Sequence, residues 1–125
     1  MSSSRNMAIP AFDDREAEVL TKATVRAAER LGLTHAQLAS VLGVSASTVS
    51  RLANQPLTRP KALELATLFV RLYRSLIGVV GTDSAASEWM AGFNHFLEAR
   101  PMDRIAEVEG LVETLRYLDA MRARV

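Results

Sequence analysis

Residues 34–53 read THAQLASVLGVSASTVSRLA, and the capping, turn and packing residues in this segment predict the structure around it. Thr34 and Ser45 are of the residue types that cap helix N-termini, and Gly43 between them accepts the positive φ of a tight turn. Ala39 is small enough for a second helix to cross closely over it. The remaining positions of the motif that we expect to be buried are Leu38, Leu42, Val44, Val49 and Leu52. This combination predicts a helix-turn-helix.

The second helix of this motif, predicted to run from Ser45 to about Ala53, has a short, hydroxyl-rich outer face. Such side chains allow close approach to base edges in a major groove about 12 Å wide. Arg51 suits a bidentate contact to guanine or a pairing with phosphate, and Gln37 suits a phosphate contact that sets docking register. The residues predicted to bind DNA are Gln37, Ser45, Ser47, Thr48, Ser50 and Arg51. The alternative is a structural helical hairpin whose serines cap helices and face solvent.

Charge limits how such a motif works. The chain has a net charge of +1, which excludes a polybasic protein that coats nucleic acid. Residues 1–60 hold seven basic and five acidic side chains, so one copy should bind DNA weakly. Two copies on half-sites about 34 Å apart would bind better, and we therefore expect a homodimer. The broad apolar face of helix 60–80 is a candidate dimer contact, unless the C-terminal segment covers it within one chain.

The rest of the chain also has helical periodicity and lacks the alternating β-branched runs of strands. Caps and breakers predict helices from Asp13-Asp14 to Gly32, from Arg59-Pro60 to about Val80, from Ser84, and from about Glu109, with a turn or helix at Pro101. The predicted fold class is therefore all-α. Its organisation is a loose arm at 1–12, a helix-turn-helix DNA-binding domain at 13–74 and a small helical domain at 75–125.

Composition argues against several other classes of protein. There is no cysteine, which excludes disulfides, thiol nucleophiles and Cys-ligated metal. The two histidines, His35 and His95, lie in different segments, and there is no Gly-rich phosphate loop. We therefore expect no enzyme activity, cofactor or metal. Charged side chains interrupt the most apolar stretch, 63–80, and no secretory h-region is visible, so we expect a cytoplasmic protein that does not enter membranes.

The second half reads SAASEWMAGFNHFLEARPMDRIAEVEGLVETLRYL at residues 84–118. An Ala-x-x-Trp step precedes Asn and Leu, then Arg-Pro-Met-Asp, then Glu-Gly before an amphipathic helix. This order resembles the toxin-binding domain of the Xre/MbcA/ParS antitoxin family. The matching positions are Ala86, Trp89, Asn94, Leu97, Arg100, Pro101, Asp103, Glu109, Gly110 and Leu115. The sequence departs from the pattern in three places: no Pro follows Asn94, Glu98-Ala99 replaces a Gly often found before Arg-Pro, and Ala106 replaces a larger aliphatic residue.

The resemblance implies a type II antitoxin that neutralises a RES-domain toxin, an enzyme that destroys NAD, and that represses its own operon. Family members often obstruct the toxin's active-site entrance with the C-terminal domain and chain end. The cationic end 121–125 suits a pocket that holds pyrophosphate, unless it is only a frayed helix end.

The residues thereby assigned to the toxin are Trp89, Phe93, Phe96, Arg100, Arg122, Arg124 and Val125. For the aromatic residues, and for Trp89 in particular, a place in the core is the alternative. The alternative function is a stand-alone helix-turn-helix regulator whose C-terminal half dimerises or senses a ligand.

Overall fold

The computed structural model of the chain describes residues 12–124. Over that range the helices are α1 (Asp14–Leu31), α2 (His35–Leu42), α3 (Ala46–Ser50), α4 (Pro60–Val80), α5 (Asp83–Ala91), α6 (Pro101–Arg104) and α7 (Val108–Arg122). The predicted all-α class is confirmed. None of these helices is long and apolar enough to cross a bilayer, and the same residues contain no group of three carboxylate or histidine side chains that could hold a metal. The predicted arm lies outside the described residues, except for Phe12.

Local capping explains the helix boundaries of the N-terminal half. Asp13 accepts a hydrogen bond from the Glu16 backbone N–H, and the Glu16 side chain accepts one from the Asp13 N–H, which forms a capping box. Ser45 caps α3 by accepting from the Thr48 N–H at 3.1 Å. Gly43 has a φ of +69°, as the predicted tight turn between α2 and α3 requires.

Two predicted boundaries are wrong. Helix α5 begins at Asp83 with Thr82 as its N-cap, because the Thr82 hydroxyl accepts from the Ala85 N–H at 3.1 Å, whereas the predicted cap was Ser84. Helix α3 ends at Ser50 rather than near Ala53. The Arg51, Leu52 and Asn54 N–H groups bond to carbonyls three residues back, so the chain after Ser50 continues in tight turns.

Helix α4 is the central element of the fold. It packs against α1, against the start of the helix-turn-helix and along α7. The α7 side chains Leu111 and Leu118 are fully buried, as are Phe69 and Leu72 of α4. The C-terminal helix therefore covers α4 within one chain, and the breadth of the apolar face of helix 60–80 does not require a second copy at that position.

Polar contacts also join the two halves. The Tyr73 hydroxyl of α4 donates to Asp83 Oδ1 at 2.5 Å, and Arg30 Nη1 of α1 donates to that hydroxyl at 3.4 Å. The hydrogen bond to Tyr73 raises the pKa of Arg30 above its ordinary value. These contacts tie together α1, α4 and α5, so the first helix of each half is held against the same central helix.

Candidate functional site

The first candidate site is the outer face of α3. Val49 and Leu52, only 5% and 4% exposed, hold this helix and the turn after it in the core. The opposite side stands clear of the protein, which is the arrangement that a major-groove helix needs. The predicted DNA-contacting residues on this side are Ser45, Ser47, Ser50 and Arg51, all exposed, and Thr48, which is half-buried.

Hydrogen bonds within the protein orient the side chains on the outer face of α3. The Ser45 and Thr48 hydroxyls share a hydrogen bond at 3.0 Å, and the Ser50 hydroxyl donates to the Ser47 carbonyl at 2.9 Å. Arg51 Nη1 donates to Ser47 Oγ at 3.0 Å. A guanidinium has five N–H donors, so Arg51 is oriented by Ser47 and keeps donors for a base or a phosphate.

Gln37 is more engaged than the other predicted DNA contacts. Its Oε1 accepts from the Thr34 N–H at 2.8 Å within a capping box, and its Nε2 lies 3.7 Å from the sulfur of Met102 on α6. The amide therefore starts α2 and links it to the C-terminal half. One amide hydrogen remains for a phosphate contact.

The second candidate site is an open groove of ≈ 1210 Å³ along the outer face of α7, which we call the α7 groove. Phe96 and Val108 on this groove are 62% and 57% exposed, and apolar side chains of that size in one patch are typical of interaction surfaces. The groove is lined by the apolar or aromatic residues Phe96, Val108, Val112, Tyr117, Ala120 and Met121 and by the charged residues Arg104, Glu109, Glu113, Arg116 and Arg124.

Two stacked aromatic rings form part of the lining of the α7 groove. The rings of Phe96 and Tyr117 stack with their centroids 4.5 Å apart and an interplanar angle of 8°. Trp89 lies 6.5 Å from Tyr117, is half-buried and packs against the core, which agrees with the core alternative for this residue. Phe93 is as exposed as Phe96 but lies outside the groove, with its ring edge-on to His95. Tyr117 was not predicted, because only the fold brings it against Phe96.

The loop between α5 and α6 positions Phe96. Asn94 and Ala99 exchange two backbone hydrogen bonds, and Asn94 Oδ1 accepts from the Leu97 N–H at 2.9 Å. Leu97 is buried, so its neighbour Phe96 points outward. Glu98 has a φ of +57°, and no other non-glycine residue between 12 and 124 has a positive φ. The loop therefore forces Glu98 into a conformation that favours glycine.

The basic residues predicted to bind the toxin lie in different surroundings. Arg100 forms a bidentate pair with Asp103 at 2.8 and 3.1 Å, which raises the pKa of Arg100 and lowers that of Asp103. Arg122 Nη1 donates to Ser75 Oγ of α4 at 3.4 Å. Arg124 is exposed and lies on the α7 groove. Val125 lies outside the described residues.

Comparisons with known proteins match both halves. Residues 13–71 match the family model of the antitoxin Xre-like helix-turn-helix domain, and residues 75–124 match that of the antitoxin Xre/MbcA/ParS C-terminal toxin-binding domain. The chain belongs to the Xre/MbcA/ParS antitoxin family. A chain of the crystal structure of the M. tuberculosis MbcT–MbcA toxin–antitoxin complex is similar to this antitoxin, with 26% identity and a TM-score of 0.65, over 86% of this chain and 96% of that chain. No curated protein sequence gives a significant match.

The structure shows why this antitoxin carries several of the family's motif residues. Ala86 is fully buried, and Asn94 closes the loop that presents Phe96. Gly110 lies so close to the end of α6 that an added Cβ would come within 1.9 Å of the Arg104 carbonyl oxygen. These residues build the scaffold beneath the α7 groove and do not themselves line it.

Proposed function

We propose that this protein neutralises a RES-domain, NAD-degrading toxin through its C-terminal half and represses its own operon, in the cytoplasm, through its helix-turn-helix. The observation that carries the proposal is the α7 groove, where the Phe96 ring stacks on Tyr117 and remains exposed to solvent. Rigid aromatic side chains at the centre of an apolar patch are the usual anchors of a protein interface. On this reading the protein is a stoichiometric inhibitor and not a catalyst.

The chain end supplies the part of the inhibitor that reaches the toxin's active site. Helix α7 includes Met121 and Arg122 of the predicted end 121–125, and the exposed Arg124 follows the helix on the α7 groove. Arg124 is therefore the cation that we assign to the NAD-binding pocket, where it would pair with anionic oxygens or acidic side chains. Arg122 instead stays against α4.

A complex purified with a candidate RES-domain toxin tests the inhibitor half. Phe96→Ala should weaken inhibition of NAD consumption at least about tenfold, because it removes the exposed aromatic side chain that we assign to the interface. Phe93→Ala is the matched comparison, since this ring is equally exposed but outside the groove. A similar loss in both variants would place the interface over a wider surface. No complex at micromolar concentration, with NAD consumption undiminished, would contradict the proposal.

The proposed repressor is a homodimer that lays α3 in the major groove at each half-site. Arg51→Ala should weaken operator binding by ~1–3 kcal/mol if Arg51 reads a guanine. An equal loss on operator and unrelated DNA would assign it to a phosphate. Operator binding without any toxin complex would favour the alternative function, a stand-alone regulator.

A further inference from the structure

The large apolar side chains exposed between residues 12 and 124 fall in both halves of the molecule. Phe93, Phe96 and Val108 lie in the toxin-binding half. Phe12 and Val19, 41% and 58% exposed, lie at the start of α1 in the DNA-binding half. Phe12 and Val19 take no part in the DNA contacts or the toxin contacts proposed above.

Phe12 and Val19 border a second groove, of ≈ 440 Å³, between α1 and α4, which we call the α1–α4 groove. Leu20 and Ala23 of α1 and Val70 of α4 form its apolar wall. Helix α7 meets α4 on a different side, at Ser75 and Gly78. Helix α7 therefore does not cover the α1–α4 groove, although both pack against the central helix α4.

The rim of this groove carries both signs of charge. Arg15 and Arg74 line it together with Glu16. Among residues 12–124 neither arginine forms an ion pair, whereas Arg30, Arg71, Arg100 and Arg104 do. In a two-fold interface the same patch is used by both copies, so it must be complementary to itself. This patch meets that requirement, because it has a protruding apolar side chain (Val19), a concave apolar wall and charges of both signs.

We propose that the α1–α4 groove is the surface through which two copies of this chain associate. Val19 of each copy enters the groove of the other, and Arg15 or Arg74 of one faces Glu16 of the other. The inference rests on the proposed DNA-binding function, since a helix-turn-helix of low charge needs two half-sites. A patch with two exposed apolar side chains fits a weak dimer that adjacent half-sites on DNA hold together.

The absence of cysteine makes a direct test available, because one substitution gives a protein with one thiol. Val19→Cys in the full chain should form a disulfide-linked dimer on mild oxidation, since the two copies of residue 19 approach each other across the two-fold axis. Glu18→Cys is the matched control. It is the adjacent exposed residue on α1, but it lines a different cleft, next to Lys22 and Ala53.

A second variant tests the same surface without oxidation. At protein concentrations high enough for the wild-type chain to sediment as a dimer, Val19→Asp should sediment as a monomer, and it should weaken operator binding at least about tenfold. Inhibition of the toxin should stay within about twofold of wild type, because the α7 groove is untouched. Val19 is exposed, so neither substitution needs the core to rearrange.

Several results would overturn the proposal. These are equal crosslinking of the two thiol variants, a dimer that survives Val19→Asp, and a wild-type chain that is monomeric on its operator. A Val19→Cys thiol that is shielded from reagents in a monomer would show instead that the chain's own residues 1–11 cover the groove. A wild-type chain that dimerises through Val19 but binds no DNA would support the α1–α4 groove as the dimer surface and contradict the proposed repressor function.

Discussion

The side chain of Arg122 lies across Gly78 of the neighbouring helix: a Cβ on Gly78 would come within 3.0 Å of Arg122 Nε. Beside it, Ser75 donates to Asp119 Oδ1 at 2.5 Å and accepts from Arg122. These contacts fix the rotation of α7 on α4. As a result the exposed Arg122 side chain lies along α4, whereas Arg124 lies on the α7 groove, although a linear reading groups the two as one cationic end.

Gly78→Ala should raise the free energy of unfolding by up to about 1 kcal/mol. Alanine is favoured over glycine inside a helix by about that amount, and the flexible end of Arg122 can move aside. Urea unfolding of Gly78→Ala, with and without Arg122→Ala, measures both effects. A loss of stability that Arg122→Ala restores would mean that the arginine is held too firmly to move.

Gly110→Ala is the same chemical change in another helix and should have the opposite sign. The added methyl group would meet the Arg104 carbonyl oxygen at 1.9 Å, so backbone must shift. We expect a loss of about 1–3 kcal/mol, the range for overpacked sites, and weaker toxin binding because α6 and α7 move apart. An increase in stability by urea unfolding would show that this close approach does not exist.

Glu98→Gly should stabilise the protein by about 1 kcal/mol. A left-handed conformation costs a residue with a Cβ about 1–2 kcal/mol, and the greater unfolded-state freedom of glycine offsets part of the gain. Glu98→Ala is the control, because it removes the same charge but keeps the Cβ. Equal unfolding free energies for the two variants would trace any gain to charge and not to backbone strain.

Thr21→Val should cost about 1–3 kcal/mol, because the Thr21 hydroxyl accepts from the buried Leu57 N–H at 3.1 Å. Thr24→Val removes an equally buried hydroxyl on the same helix, but that hydroxyl donates only to the Leu20 carbonyl of its own helix. Its loss should be clearly smaller in the same unfolding experiment. Similar losses would assign the effect to packing and not to the loop at residue 57.

The Arg100–Asp103 pair should respond to acid. The hydrogen bonds from Arg100 lower the pKa of Asp103, so the pair contributes at any pH above the ordinary aspartate pKa of about 3.9 and is lost as the pH falls through the lowered value. Because both side chains are about half exposed, the effect on stability is small. NMR titration of the Asp103 carboxyl measures it directly. Arg100→Ala should return this pKa towards its ordinary value.

Features of the fold that depend on nearby residues could be predicted from the sequence. Thr34, Gly43 and Ser45 set the helix-turn-helix through caps and a turn whose partners lie within four residues. The start of α5 could not be predicted in this way. Thr82 and Ser84 are both capping types, and only the finished packing selects the first of them.

The two candidate interfaces differed in the same respect. The outer face of α3 follows from helical spacing, since burial of Val49 forces the serines outward. The α7 groove depends on Tyr117 meeting a loop residue, Phe96, that is distant in sequence. Which arginine is free likewise depends on the packing of α7 on α4, which no local pattern encodes.

Helix α4 ends one matched domain and begins the other, since the family models meet between residues 71 and 75 while the helix runs unbroken from Pro60 to Val80. Proteolytic cleavage within α4 would remove the helix against which both domains pack. The DNA-binding domain would then lose its stability together with the toxin-binding domain. With the proposed function, one cleavage would then free the toxin and reopen transcription of the module in a single event.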